Sequence, residues 1–154
     1  RMVDQSLREP AASRSLIGPI IGSVVELLAQ SHNGRLENLA RRWKHRESLL
    51  SKAEWFLRGN LGRPFDCKAL ATAVGATERS VQKHFLEAYG MTPGQWARCL
   101  ALHHARKRLL VTDPTRFTVE GIAHELGFRH MGRFAGHYED LFGEYPSATL
   151  ARQE

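Results

Sequence analysis

One stretch of this sequence occurs twice, and duplicated spacing constrains a fold more tightly than any single residue preference. Residues 65–75, FDCKALATAVG, lie over residues 117–127, FTVEGIAHELG, at a constant offset of 52. Past the glycines the offset becomes 53, pairing Val81 with Phe134, Phe85 with Tyr138, Tyr89 with Phe142, Gly90 with Gly143 and Pro93 with Pro146. The second copy therefore carries one extra residue in its turn. Within each copy the apolar spacing is helical: Leu70 and Val74 are four apart, then Val81, Phe85 and Tyr89 follow at intervals of four. Asp66 and Thr118 stand where an N-cap belongs, Thr77 suits the cap of the second helix, and Gly75 and Gly127 supply the residue after a helix end. Two helices of about 8 and 13 residues around a glycine-containing turn describe a helix-turn-helix. A single copy would leave a plain helical hairpin open as an alternative; two copies with matching glycines and prolines count against it.

Between the copies, Thr92 to Val111 reads as one helix, with Pro93 in its first turn, Asp113-Pro114 as its stop, and Trp96, Leu100 and Leu109 available to a core. About 18 helical residues span roughly 27 Å, near the ~34 Å between successive major-groove faces on one side of DNA. Upstream, Ser48 to Leu61 offers Leu50, Ala53, Phe56 and Leu57 as an apolar face expected to pack on the first unit. Pro146 to Leu150 repeats the start of the long helix and is expected to cap the second. The expected fold is all-α: two helix-turn-helix subdomains joined by a long connecting helix, about seven helices in all, preceded by an apolar N-terminal helix. Residues 1–45 are expected to be that helix and a linker, and residues 46–154 the main domain, divided at 46–91, 92–111 and 112–154.

Composition narrows the function class. Apolar residues make up 42% and charged residues 25% of 154, which argues against disorder and against a membrane protein. Lysine and arginine total 22 against 16 acids, a net charge of +6 that favours an anionic partner weakly. The excess is shared evenly between residues 1–45 and 46–154, so charge locates no binding face. Cys67 and Cys99 lie in no ligand-like or disulfide-like spacing, and a reducing cytoplasm is expected. Leu16 to Ala29, the most apolar stretch, is broken by Pro19, Gly22 and Glu26 and falls short of the ~20 apolar residues a bilayer needs. No signal peptide precedes it, and the chain opens at Arg1-Met2, which reads as a piece of a longer protein. Pro19 to Gln30 fits a helix that is apolar over more than half its surface. It is either the end of a sensory and dimerisation domain, with a homodimer contact through residues 15–30, or a helix folded back on the domain's own core.

With Val81, Phe85 and Tyr89 inward, the outward stripe of the first unit's second helix is Arg79, Gln82 and Lys83, with Glu78 at its edge. Arginine and lysine donate to guanine O6 and N7 and glutamine pairs with adenine N6 and N7, each good pair discriminating by about 1–3 kcal/mol. A merely solvated face is the alternative. Moved by 53, the same positions become Gly132, Ala135 and Gly136, none with a hydrogen-bonding side chain. Around them Arg129, His130, Met131, Arg133 and His137, and Thr77 in the first unit, are expected to make backbone or secondary contacts, which position without specifying sequence. Arg106-Lys107-Arg108 reads first as a solvated face. The eight histidines form no metal-ligand pattern, and neither a phosphate loop, a nucleophile elbow nor a His-Glu metalloprotease motif occurs, so no metal, cofactor or enzymatic activity is expected.

From about residue 47 to 150 the chain resembles the DNA-binding region of AraC/XylS-type bacterial transcription regulators. The motifs that carry the likeness are LATAVGATERSVQKHF, GMTPGQW, ALHHARKRLL and above all IAHELGFRHMGRFAGHYEDLFGEYPSATL, whose HMGRF segment looks like the XylS-like branch. The resemblance implies a sequence-specific binder of double-stranded DNA, usually an activator and often dimeric, that inserts two recognition helices into successive major-groove turns. It also implies RNA polymerase as a partner and a small-molecule effector bound outside this chain. In the family the positions of Arg79, Gln82 and Lys83 contact bases. The chain departs from the pattern at Gly132, Ala135 and Gly136, and at Ala101 and Leu86, where basic residues are common; both latter changes imply fewer phosphate contacts and a shallower salt dependence. The expectation is an asymmetric reader, specific through the first unit and held by the second. A helix-turn-helix used mainly for protein contact, with vestigial DNA binding, is the alternative that the glycine-rich second helix keeps open.

Overall fold

The computed structural model describes residues 23–24 and 34–152, and every regular element among them is an α-helix. Seven helices follow in order: α1 (Gly34–Gly59), α2 (Cys67–Val74), α3 (Glu78–Tyr89), α4 (Pro93–Val111), α5 (Val119–Glu125), α6 (Met131–Phe142) and α7 (Pro146–Ala151). The all-helical expectation and the long connecting helix are met. The apolar helix expected over Pro19 to Gln30 lies outside the described residues, except that Ser23 and Val24 are helical.

The sequence repeat reappears as a repeat of hydrogen bonds. After α2, Gly75 N–H donates to Thr72 O and Ala76 N–H to Ala71 O; after α5, Gly127 N–H donates to His124 O and Phe128 N–H to Ala123 O. These are the paired bonds of a left-handed helix stop, shifted by 52. Beyond the turns the shift is 53: Val81 N–H donates to Thr77 O as Phe134 N–H does to His130 O, and Gly90 N–H to Leu86 O as Gly143 N–H does to Glu139 O. The extra residue thus sits between Phe128 and His130. Thr77 and Thr118 cap α3 and α5 through their hydroxyls, accepting from Ser80 N at 3.2 Å and Gly121 N at 3.1 Å. A reciprocal box starts α4, with Thr92 Oγ1 accepting from Gln95 N at 3.3 Å and Gln95 Oε1 from Thr92 N at 2.8 Å. α6 has no such side-chain cap.

The described residues form two packing units, 34–55 with 68–91, and 56–67 with 92–152. In the first, α1 buries Leu49, Leu50 and Ala53, α2 buries Leu70, Ala71 and Val74, and α3 buries Val81 and Phe85. The hydroxyl of Tyr89 donates to the Glu54 carboxylate, fixing the end of α3 to α1. In the second, Leu102, Ala105 and Leu109 of α4 meet Ile122 and Ala123 of α5 and Phe134 and Tyr138 of α6. Aromatic rings run through it at 4.8 Å (Phe128 to Phe134), 5.8 Å (Phe134 to Tyr138) and 4.6 Å (Tyr138 to Phe142). Fully burying side chains of this size contributes about 1.5–3 kcal/mol each.

Ser48 to Leu61 was expected to serve the first unit as a whole, and the structure divides it. Phe56 to Leu61 pack with the second, because the loop after α1 closes onto the turn after α5. There Gly62 (φ +86°) and Gly127 (φ +85°) lie backbone to backbone: a Cβ on Gly62 would stand 2.4 Å from Glu125 O, and one on Gly127 would stand 2.9 Å from Gly62 O. Only glycine satisfies both the left-handed backbone and this approach.

Gly62→Ala is therefore expected to cost more than about 2 kcal/mol of unfolding free energy, combining left-handed strain with a backbone clash. Gly90→Ala, at a φ of +66° with nothing within 4 Å of its Cβ, should cost about 1 kcal/mol from strain alone. Urea denaturation of the two variants checks the difference.

Candidate nucleic-acid interface

α3 is built with two opposed faces. Val81 and Phe85 are fully buried and Tyr89 is half-buried, with the Phe85 and Tyr89 rings 5.3 Å apart. On the other side Arg79, Gln82, Lys83 and Leu86 are all exposed, so the three expected base readers share one solvent-facing stripe. Lys83 lies 3.8 Å from Glu87 on the same helix; an exposed pair of this kind is worth ~0.3–0.5 kcal/mol and does not hold the lysine back from another anion. Thr77, also exposed, uses its oxygen as the α3 cap and keeps its hydroxyl hydrogen for a further acceptor.

α6 keeps the buried side of the design and changes the outer one. Phe134 and Tyr138 are buried; Gly132 and Arg133 are exposed, and Ala135, Gly136 and His137 are half-buried. A Cβ at Gly132 or Gly136 would meet nothing within 4 Å, so nothing in the surrounding fold requires glycine at either position. Met131 is partly buried and packs against the second unit's core. Arg129 and His130, in the lengthened turn, are exposed. They line one cleft of about 430 Å³ together with Arg133, His137, Phe128, Gly127, Pro64 and Arg98 of α4. Arg98 Nη1 lies 3.1 Å from His137 Nε2.

The basic run on α4 has other duties. Arg106 lies 3.3 Å from Glu144 and stacks 4.7 Å from the centre of the Phe142 ring, and Arg108 pairs with Glu125. Sequence spacing identified this run and passed over Arg98, whose neighbours come from the loop at Pro64 and the turn at 127–130, far away along the chain. Burial pushes the Cys99 thiol up despite the nearby Arg98 charge, which leaves it less available as a thiolate. Among the described residues, no group of three or more His, Cys, Asp or Glu side chains is placed to hold a metal ion, and no helix is long and apolar enough to cross a membrane.

Residues 70–152, more than half of the chain, match the family model described as a helix-turn-helix domain. A probable AraC family transcriptional regulator from Rhodopseudomonas palustris CGA009, known from its crystal structure, superposes with a TM-score of 0.62 and 33% identity, over 68% of this chain and 95% of that one. The chain belongs to the AraC/XylS family. The DNA-binding domain of AdpA, a global transcriptional factor crystallised with a target DNA, superposes with a TM-score of 0.58 at 27% identity, over 68% of this chain and 90% of that one. Among curated relatives, the probable thc operon regulatory protein of Rhodococcus erythropolis is 38% identical over 95 residues, 62% of this chain and 29% of the relative. The XylDLEGF operon transcriptional activator 1 of Pseudomonas putida is 35% identical over 99 residues, 64% of this chain and 30% of the relative. The AraC-type region matched here thus spans about 30% of those relatives' length.

Because Gly132 and Gly136 stand in open space on a helix, Gly132→Ala and Gly136→Ala should each stabilise the isolated chain, by up to about 1 kcal/mol. A rise in thermal midpoint for both variants checks this; a fall would mean that a neighbour contact is missing from the account.

Proposed function

We infer that this chain is the DNA-binding part of a bacterial transcription regulator, binding duplex DNA sequence-specifically and acting as an activator. The observation that carries this reading is the stripe of Arg79, Gln82 and Lys83 on α3, exposed along its length and opposite Val81 and Phe85, which are buried. It lies on the second helix of a helix-turn-helix, the element that enters the major groove in such domains. The likeness to a domain crystallised with its target DNA supports duplex DNA as the ligand. The family resemblance supports two recognition helices entering successive turns of one groove.

In this reading residues 46–154 are the DNA-binding domain, with 46–91 the reading half, 92–111 the connecting helix and 112–154 the holding half. Arg79, Gln82 and Lys83 contact bases. Thr77, Arg129, His130, Arg133 and His137 contact the sugar-phosphate backbone, with Met131 beneath them. Gly132, Ala135 and Gly136 offer a smooth helix surface that DNA can approach closely. Residues 1–45 are the end of a sensory or dimerisation region, with a homodimer contact through residues 15–30. RNA polymerase is the protein partner, the effector binds outside this chain, the protein works in the cytoplasm, and it acts by binding alone. What supports these last points is the resemblance, together with relatives that extend well beyond the matched region. Use of the domain for protein contact alone is less favoured, because it leaves the α3 stripe without a task.

Selection of bound duplexes from a random pool, followed by base-by-base substitution scored by gel shift, tests the reading. Arg79→Ala, Gln82→Ala and Lys83→Ala should each cost about 1–3 kcal/mol and relax the preference at one position. Substitutions in the half-site under α6 should cost less. Equal penalties in the two half-sites would overturn the asymmetry, and loss of salt-dependent binding altogether would overturn DNA as the ligand.

A further inference from the structure

The second unit spends its carboxylates selectively. Glu144 is approached by Arg106 at 3.3 Å and Arg152 at 2.7 Å, and Glu125 is paired with Arg108. Arg98, Arg129 and Arg133 line the same cleft and have no carboxylate partner among the described residues, nor does any Asp or Glu line that cleft. Three guanidinium groups around one concave surface repel one another unless an anion joins them. Arg98 Nη1 lies 3.1 Å from His137 Nε2, a contact that orients the guanidinium, whose fork carries five N–H donors in all.

The turn contributes from the other side. Where the first unit has Ala76 and the capping Thr77, the second has Phe128, Arg129 and His130. His130 stands in place of the threonine cap, and the extra residue, Arg129, adds positive charge at the same point. The first backbone N–H groups of α6, Met131 to Arg133, consequently lack a side-chain acceptor. A helix start of this kind would by itself say little, but here it opens beside a cleft of about 430 Å³ already lined by three arginines.

We propose that the cleft between Arg98 of α4 and the Arg129–Arg133 turn is a binding site for one phosphate-type oxyanion, and that its occupant is a single phosphate of the DNA backbone. Arg98 is then a contact supplied by the connecting helix and not by either recognition helix. This rests on the reading of the domain as a DNA binder. It also gives the holding half a physical basis: α6 lacks base-reading side chains at 132, 135 and 136, yet it is held against the duplex by a charge-complementary seat beside its N-terminus.

The test uses the whole 154-residue chain, a duplex selected from the random pool and an unrelated duplex, titrated at several salt concentrations. Arg98→Ala should weaken both duplexes by the same factor, about threefold to tenfold, and flatten the slope of log K against log salt by about 0.9, the value of one phosphate contact. Arg98→Gln keeps an amide donor for His137 but drops the charge, and should flatten the slope equally; Arg98→Lys should retain it. A series of duplexes, each with one methylphosphonate linkage, should contain one linkage at which the wild type weakens by that factor and Arg98→Ala weakens no further. An unchanged slope in Arg98→Ala and Arg98→Gln, or a loss confined to the selected duplex, overturns the proposal. If the wild type binds no duplex, the DNA-binding reading fails, and calorimetric titration with inorganic phosphate decides the site separately. Saturable binding that Arg98→Ala abolishes would then keep the oxyanion site with a free anion as its occupant, and absence of binding would overturn it.

Discussion

Tyr138 is fully buried yet carries a hydroxyl, and the way that hydroxyl is satisfied organises the second unit. It donates to Thr149 Oγ1 at 2.9 Å, and Thr149 donates to Glu144 Oε1 at 2.9 Å. Glu144 is in turn held by Arg106 from α4 and Arg152 after α7. Burial keeps the phenol protonated by pushing its pKa up, so the donor is always present. A buried polar chain of this kind stabilises only when every member is satisfied, since an orphaned group would cost about 1–3 kcal/mol. It ties α4, α6 and α7 into one arrangement and fixes the rotation of α6. With α6 rotated so that Phe134 and Tyr138 face inward, Gly132 and Arg133 have no choice but to face solvent.

The same network explains how charge is distributed. Of the α4 run, Arg106 and Arg108 are committed to Glu144 and Glu125, so a sequence segment that looks like a basic patch is in large part internal bracing. Arg98, Arg129 and Arg133, which have no carboxylate partner among the described residues, meet instead around one cleft near the start of α6. Neutralising some arginines while leaving others unpaired is how a modest net charge of +6 acquires a local direction.

The two units repeat one another in spacing and capping and differ at the outer face of the second helix. In α3 that face carries long hydrogen-bonding side chains; in α6 it carries glycine, alanine and glycine. Glycine in a helix lowers stability, and the fold around α6 gains nothing in return, since both Cβ positions are open. The surrounding fold therefore gives no reason for the bare surface, and in the proposed reading a close-lying duplex supplies one.

Much of this was legible in the residues. The offset of 52 turning to 53 foretold both helix stops, the threonine caps and the longer second turn, because backbone hydrogen bonding is local and depends on residue type within a few positions. The outward stripe of Arg79, Gln82 and Lys83 followed from the inward spacing of Val81, Phe85 and Tyr89. Spacing could not show that Phe56 to Leu61 serve the second unit, since that depends on Gly62 meeting Gly127 across 65 positions of chain. Nor could it show that Arg106 is braced while Arg98 lines a cleft. The sequence by itself determined the helices, their caps and which face of each is apolar, through short-range bonding and periodicity. Only the tertiary structure decided which charges are paired and which are left for a partner, because pairing depends on distances between segments that periodicity does not encode.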